Sequence, residues 1–133
     1  MNIFVEKAPP VVLIVEDDEF IQMVLQRGFA KNQVQTYSAL NGAKALDILN
    51  TNNDITHIVL DLNMPVMDGY SLIAHMNKEE RFKDLHIAVT SCNNISAFTE
   101  YVKIRNINTD LVKSYFLKPV EFNELFQSIS AVA

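Results

Sequence analysis

The sequence predicts an α/β protein with a doubly wound, five-stranded parallel sheet and helices on both faces. Short apolar, β-branched runs alternate five times with segments of helical periodicity, which is the pattern of βαβ units. The 133 residues are enough for about one domain. We expect residues 1–10, with two prolines and two charged side chains, to be a short flexible leader, and residues 11–133 to form the domain.

Composition and charge exclude several classes of protein. Hydrophobic residues make up 49% of the chain and charged residues 20%, as in an ordinary globular domain and unlike a disordered chain. A net charge of −5 offers no basic face for phosphate backbones, so we expect no direct binding of nucleic acid. The one cysteine, Cys92, excludes an intrachain disulfide, and no apolar run is long enough for a membrane span. The sequence therefore predicts a cytoplasmic protein without membrane association.

The first two strand–helix pairs have clear boundaries. Residues 11–15 form a continuous β-branched run, which predicts a strand buried on both faces. Asp18 then stands where a helix cap is expected, ahead of apolar residues at helical spacing. Residues 34–38 alternate between apolar and polar and predict the second strand. Asn41 is expected to cap the second helix.

The third and fourth strands lie on either side of a loop rich in turn residues. Residues 57–61 form an apolar run that ends on an acid. Pro65 and the pair Asp68 and Gly69 follow, and these are residues that turns favour. A third helix comes next, and residues 85–91 predict the fourth strand.

The last part of the chain holds one short strand between two helices. Apolar residues from Ile95 to Val102 have helical spacing and predict the fourth helix. Residues 115–117 predict a fifth strand, and the final helix begins near Phe122.

Polar side chains lie at the ends of four of these strands. Glu16 and Asp17 follow the first strand, Asp61 ends the third, Thr90 lies near the end of the fourth and Lys118 follows the fifth. In an open parallel sheet the carboxyl ends of the strands share one edge, and ligands bind there. We therefore expect three carboxylates, a hydroxyl and an ammonium group to form one pocket.

The charges of this pocket call for a cation. Three ionised carboxylates against one lysine leave roughly two negative charges at neutral pH, and crowded like charges raise one another's pKa. A hard divalent cation such as Mg²⁺ prefers these oxygen ligands. With it bound, a carboxylate can act as nucleophile toward a phosphoryl group.

Four segments resemble the receiver domain of response regulators, the chemotaxis-regulator-like proteins of two-component signalling. They are LIVEDD at residues 13–18, LDLNMPVMDG at 60–69, AVTS at 88–91 and YFLKP at 115–119. The resemblance runs from about residue 11 to the C-terminus. It implies a flavodoxin-like strand order, 2-1-3-4-5, and a signalling phosphoacceptor with at most weak self-catalysed phosphorylation and dephosphorylation, not an enzyme.

The resemblance also implies ligands for phosphate and metal. Asp61 would accept a phosphoryl group from a sensor histidine kinase or a phosphotransfer protein. Asp17 and Asp61 would bind Mg²⁺, with Mn²⁺ as the second candidate, through their side chains. Asn63 would bind it through its backbone carbonyl, and Glu16 through water or from the second shell of ligands.

Other matched positions imply a conformational switch. Thr90 and Lys118 would bind the phosphoryl oxygens, and Tyr115 would change rotamer as Thr90 moves. A downstream protein or a second receiver would then dock on the altered surface. The family also commonly has a cis peptide bond at the position of Lys118 and Pro119, and we expect one here.

Several alternatives remain open at this point. The chain is either a stand-alone receiver or a module of a larger hybrid kinase or multidomain regulator. A Mg²⁺-dependent aspartyl-phosphate phosphatase is the third hypothesis, but such enzymes need an acid where this chain has Asn63. Residues 92–114 depart from the family pattern, so that either a longer fourth helix or an extra turn is expected. His57, His75 and His86 share no spacing and predict no site.

Overall fold

Five parallel strands in the order β2-β1-β3-β4-β5 form the centre of the molecule, which confirms the predicted fold. The structure is a computed structural model that describes residues 8–131. The strands and helices are β1 Val11–Val15, α1 Glu19–Lys31, β2 Gln35–Ala39, α2 Gly42–Thr51, β3 His57–Asp61, α3 Gly69–Met76, β4 His86–Ser91, α4 Ile95–Ile104, β5 Val112–Leu117 and α5 Phe122–Ala131. A single 3₁₀ turn, Glu80–Phe82, precedes β4.

The leader predicted over residues 1–10 lies mostly outside the described residues. Residues 8–10 have no regular secondary structure, and residues 1–7 are not described. The division into leader and domain therefore stays a prediction.

The continuous apolar runs belong to strands that are covered on both faces. In β1, Leu13 and Val15 face a core shared with α2, α3 and α4. Val12 and Ile14 face a second core, which Phe29 of α1 and residues of α5 complete. All five residues of β3 are buried as well. Successive side chains of a strand point to opposite faces, so strands between two helical layers need apolar residues at every position.

Helix caps explain where the helices begin. The Asp18 carboxylate accepts the N–H groups of Phe20 and Ile21, and the Asn41 side chain accepts that of Lys44, so both predicted caps are confirmed. Asp68 is a cap as well, because its carboxylate accepts the N–H of Ser71 at 2.8 Å. The Asp68–Gly69 pair that the sequence placed in a turn therefore begins α3.

The segment that departs from the family pattern lengthens β5 and forms turns ahead of it. Helix α4 ends at Ile104, and the chain then turns back so that the N–H of Ile107 bonds to the Val102 carbonyl at 2.8 Å. Strand β5 begins at Val112, three residues earlier than predicted, because Val112 pairs with Ile87 of β4. An extra turn and a longer strand, and not a longer helix, account for the additional residues.

The other strand boundaries differ little from expectation. β2 and β4 each begin one residue later than predicted, which is within the usual uncertainty of element ends. Among residues 8–131, no helix is both long enough and apolar enough to cross a bilayer.

Candidate functional site

The predicted site residues meet at the carboxyl edge of the sheet. Glu16 follows β1, and Asp61 is the last residue of β3, the strand beside it. Asp61 pairs in register with Thr90 on β4. Lys118 follows β5, and its N–H bonds to the Ser91 carbonyl at 2.7 Å. The strand order therefore places the acids, the hydroxyl and the lysine around one pocket.

Lys118 links two of the carboxylates. Its Nζ lies 2.8 Å from Glu16 Oε1 and 3.3 Å from Asp61 Oδ1. The side chain of Lys118 is 16% exposed and those of the two acids are 4% and 5% exposed. Charges that are this well shielded from water interact more strongly than surface pairs, so the lysine is held firmly inside the pocket.

The acids form a cluster suited to a hard cation. Oxygen atoms of Glu16, Asp17 and Asp61 all lie within 4.8 Å of one another, and Asp17 is exposed whereas the other two are buried. All of these ligand atoms are carboxylate oxygens, the type that Mg²⁺ prefers over nitrogen or sulfur. The donor set therefore fits a hard divalent cation.

Burial changes the acidity of the pocket. Desolvation, and next to it the charge of Glu16, raises the pKa of Asp61 to about 7, although Lys118 and the N–H of Asn63 act in the opposite direction. The Asn63 N–H lies 3.3 Å from Asp61 Oδ1. Burial alone would lower the pKa of Lys118, but its hydrogen bond to Glu16 and the charge of Asp61 raise it. The pocket therefore favours the charged form of the Lys118 ammonium and disfavours the ionised form of the Asp61 carboxyl.

Backbone contacts fix the acidic end of β1. The N–H of Glu16 bonds to the Ala39 carbonyl at the end of β2, at 3.0 Å. The side-chain amide of Gln22 donates to the carbonyls of Ala39 and Glu16, at 3.0 and 3.3 Å. The N–H of Asp18 donates to Glu16 Oε2 at 3.1 Å. Both oxygens of Glu16 are therefore engaged, one by Lys118 and one by the backbone.

The loop between β3 and α3 packs tightly against the end of β3. The N–H of Gly69 bonds to the Leu62 carbonyl at 2.9 Å. A Cβ on Gly69 would lie 2.6 Å from the Asp61 carbonyl oxygen and 2.9 Å from Leu62 Cα, so glycine is required for this approach. Val66, in the same loop, has φ 69° and is 85% exposed.

Tyr115 and Thr90 occupy different environments. Thr90 is buried beside the acids. The hydroxyl of Tyr115 donates to the Asn93 carbonyl at 2.5 Å, and its ring lies 5.3 Å from that of Phe98 on α4. The Lys118–Pro119 peptide bond is cis, as expected.

Sequence reasoning missed two contributors to this site and one pair of histidines. The bonds of Gln22 and the carbonyl of Asn93 depend on contacts between elements, which no local pattern signals. His57 and His86, judged unrelated, are register partners at the opposite edge of the sheet with ring centroids 5.2 Å apart. The sequence did contain a signal for this pair. Each histidine lies at the start of a predicted strand, and these two strands, the third and the fourth, are neighbours in the expected strand order.

Known proteins resemble this chain over nearly its whole length. The family model of the response regulator receiver domain matches residues 12–130. The two-component response regulator ORR13 of Oryza sativa subsp. japonica is 29% identical over 87% of this chain and 92% of that protein. The transcriptional regulatory protein PrrA of Mycobacterium tuberculosis is 32% identical over 92% of this chain and 49% of its own length. The receiver domain of the Francisella response regulator 1452 is 27% identical, with a TM-score of 0.78, over 92% of this chain and 95% of that one. With this fold and this acidic pocket, the chain belongs to the response regulator receiver domain family.

Proposed function

We propose that this receiver domain accepts a phosphoryl group on Asp61 in a Mg²⁺-dependent reaction and then changes conformation to signal to a partner. The observation that carries the proposal is the position of Lys118 Nζ, 2.8 Å from Glu16 and 3.3 Å from Asp61, inside a cluster of three acids. A cation between two buried acids is placed to meet the oxygens of an incoming phosphoryl group. The donor is a sensor histidine kinase or a phosphotransfer protein, as is usual for the family.

The residues of the pocket divide the chemistry among them. A carboxylate oxygen of Asp61 attacks phosphorus while the bond to the donor breaks, and the leaving group departs with the electron pair. The ammonium of Lys118 and the hydroxyl of Thr90 bind the phosphoryl oxygens, where negative charge is spread during the transfer. Asp61 must be ionised to attack, so its raised pKa of about 7 makes a nearby positive charge necessary.

Three groups would hold the metal ion. Asp17 and Asp61 would bind Mg²⁺ through side-chain oxygens and Asn63 through its carbonyl, with Glu16 acting from the second shell of ligands. Bound there, Mg²⁺ supplies positive charge that favours the ionised form of Asp61 and offsets the charge of the phosphoryl group. Mn²⁺ has the same preference for oxygen ligands and is the second candidate.

The switch joins the pocket to α4. Phosphorylation adds about 1.5 to 2 negative charges, which draw the Thr90 hydroxyl toward the new oxygens. That movement changes the space open to Tyr115, whose hydroxyl bonds to the Asn93 carbonyl just ahead of α4. Release of this bond would alter the surface of α4 and β5, where a downstream protein or a second receiver docks. We place these events in the cytoplasm.

Intact mass measured after incubation with acetyl phosphate and Mg²⁺ tests the acceptor. We expect a gain of one phosphoryl group that is absent from Asp61→Asn and present in the matched control Asp47→Asn, an exposed aspartate on α2. Chelation of Mg²⁺ should also abolish the gain. A phosphoryl group that persists in Asp61→Asn, or no gain with any donor while Mg²⁺ still binds, would overturn the proposal.

A second candidate is a receiver module of a larger protein. PrrA matches this chain over only 49% of its own length, so one relative carries such a domain as part of a longer chain. The pocket chemistry would be the same. A phosphatase-type enzyme is less well supported, because the position two residues after Asp61 is Asn63, whose amide cannot act as a general acid. Steady turnover of donor, rather than one phosphoryl group per protein, would revive that candidate.

A further inference from the structure

A cleft of about 170 Å³ opens beside the acidic pocket, between α1 and the connection from β5 to α5. Glu16, Thr90 and Lys118 form its polar end. Its walls are apolar and consist of Phe20, Ile21, Val24, Leu25, Pro119 and Val120. A mostly apolar concavity with a few convergent polar groups is the usual form of a small-molecule site.

Two of the wall residues are exposed although they are large and apolar. Phe20 is 68% exposed and Val24 is 45% exposed, one turn apart on α1. Neither contributes to the two buried cores. Apolar surface that is grouped in this way around a polar centre favours binding of an apolar group.

The polar end of the cleft adjoins the proposed acceptor. Lys118 Nζ, which lies 3.3 Å from Asp61 Oδ1, belongs both to the acidic pocket and to the cleft. Thr90 is the register partner of Asp61 and also lines both. A phosphoryl group held by these two residues would therefore have its donor within reach of the apolar walls.

We propose that the cleft binds the apolar group of a small acyl phosphate, so that aroyl phosphates such as benzoyl phosphate are preferred over acetyl phosphate as phosphodonors. The inference rests on the proposed function of Asp61. The volume of the cleft, about 170 Å³, is below the roughly 300–1,000 Å³ of pockets for drug-sized ligands. A cleft of this size favours a single ring over a larger group. The apolar walls favour an uncharged ring, and the ammonium of Lys118 favours a donor whose reacting end is anionic.

The transfer balances without a further reactant. Asp61 forms a bond to phosphorus, the bond between phosphorus and the acyl oxygen breaks, and the electron pair leaves with benzoate. The products are the aspartyl phosphate and a free carboxylate. The ring makes its contacts with Val24 and Val120 throughout, so binding energy from the walls is available to the reaction.

The test compares two donors on the same protein. Rate constants for the gain of one phosphoryl group are measured by intact mass with benzoyl phosphate and with acetyl phosphate, both with Mg²⁺, and their ratio removes effects common to both. Val24→Phe fills the cleft, and we expect it to lower the ratio of benzoyl to acetyl rate constants about tenfold, as the loss of a snug apolar contact does in other pockets. Phe20→Ala, which removes a wall, should lower the ratio as well and serves if Val24→Phe does not fold.

The matched control places the same residue on another apolar surface. Ile104 is 76% exposed, lies at the end of α4 and does not line the cleft, so Ile104→Phe should leave the ratio at the wild-type value. A ratio that Val24→Phe and Phe20→Ala leave within about twofold of wild type, or a gain of a benzoyl group in place of phosphoryl, would overturn the inference alone. No phosphoryl gain from either donor counts against the function proposed for Asp61, and the inference falls with it.

Discussion

The ammonium nitrogen of Lys118 lies 2.8 Å from Oε1 of Glu16, so the acid that follows β1, and not the proposed acceptor, is the nearest anion to the lysine. The other oxygen of Glu16 accepts the N–H of Asp18. Because a buried ion pair costs much of its attraction in lost hydration, its main effect here is on position. Glu16 therefore fixes the position of the Lys118 ammonium within the acidic pocket.

Lys118→Met should reduce the free energy of unfolding by about 3 kcal/mol at pH 8 in the absence of divalent cations. The variant leaves Glu16 and Asp61 buried together without their cation, which is the costly way to break a buried pair. Urea denaturation measures the difference. Lys103→Met, at an exposed position on α4, should change stability by about 0.5 kcal/mol or less. Equal effects of the two substitutions would show that the pocket does not depend on the lysine for its stability.

As the pH drops below about 6.5, His57 should contribute a loss of stability, opposite in sign to the contribution of Asp61, whose raised pKa favours the folded state as it takes up its proton. Burial, and next to it His86, lowers the pKa of His57 to about 4. The unfolded chain, with a pKa near 6.5, therefore binds the proton first. The loss should begin near pH 6.5, approach about 3 kcal/mol near pH 4 and grow no further below that.

The neighbours of His57 do not reverse this sign. His86 lies beside it on the neighbouring strand β4 and has a lowered pKa of its own, through burial and then Lys113, against a smaller effect of Asp84. His57→Leu should remove this part of the pH dependence, which is read as the difference from wild type in urea titrations at several pH values. His75→Leu, at an exposed position on α3, is the matched control. A wild-type curve parallel to that of His57→Leu between pH 6.5 and 4 would contradict the prediction.

Val66→Gly should stabilise the protein by about 0.5–1 kcal/mol. Val66 has φ 69°, a region that costs an L-residue about 1–2 kcal/mol. Glycine removes this strain, but it loses more backbone entropy on folding than valine does, which offsets part of the stabilisation. The same substitution at Gln33, with φ 56°, should gain less, and at Asn106, with φ 54°, almost nothing, because asparagine tolerates this conformation. Thermal or urea unfolding gives the order, and a reversed order would refute the account of strain.

Gly69→Ala should destabilise the fold and slow phosphorylation of Asp61. The new Cβ would lie 2.6 Å from the Asp61 carbonyl oxygen and 2.9 Å from Leu62 Cα, and these backbone atoms cannot move without shifting β3. We expect a loss of about 2–3 kcal/mol.

Gly28→Ala is the control with the same nominal clash. Its Cβ would lie 2.6 Å from the ring of Phe122, which is a side chain and can turn away, while alanine favours helix α1 by about 1 kcal/mol. Unfolding experiments on the two variants should therefore differ clearly. A loss at Gly28 equal to that at Gly69 would mean that the Phe122 ring is as fixed as backbone.

Local signals in the sequence predicted most of the fold and the core of the site. The caps at Asp18 and Asn41 were predictable because a cap bonds within three residues of itself. The meeting of Glu16, Asp61 and Lys118 followed from strand ends alone, since parallel strands finish at one edge. No local signal marks the early start of β5 at Val112, because that boundary depends on pairing with Ile87, a residue far away in sequence.

The register shift between β4 and β5 affects how readily the edge of the sheet could pair with another copy of the chain. Ile87 pairs with Val112 and Ala88 with Ser114, so Lys113 is the unpaired extra residue. β5 is the last strand of the sheet, and an outer strand is a template for pairing with another chain. An exposed lysine and a local kink on that strand both oppose such pairing. The residues that lengthen β5 at its start thus place an obstacle to aggregation on this outer edge.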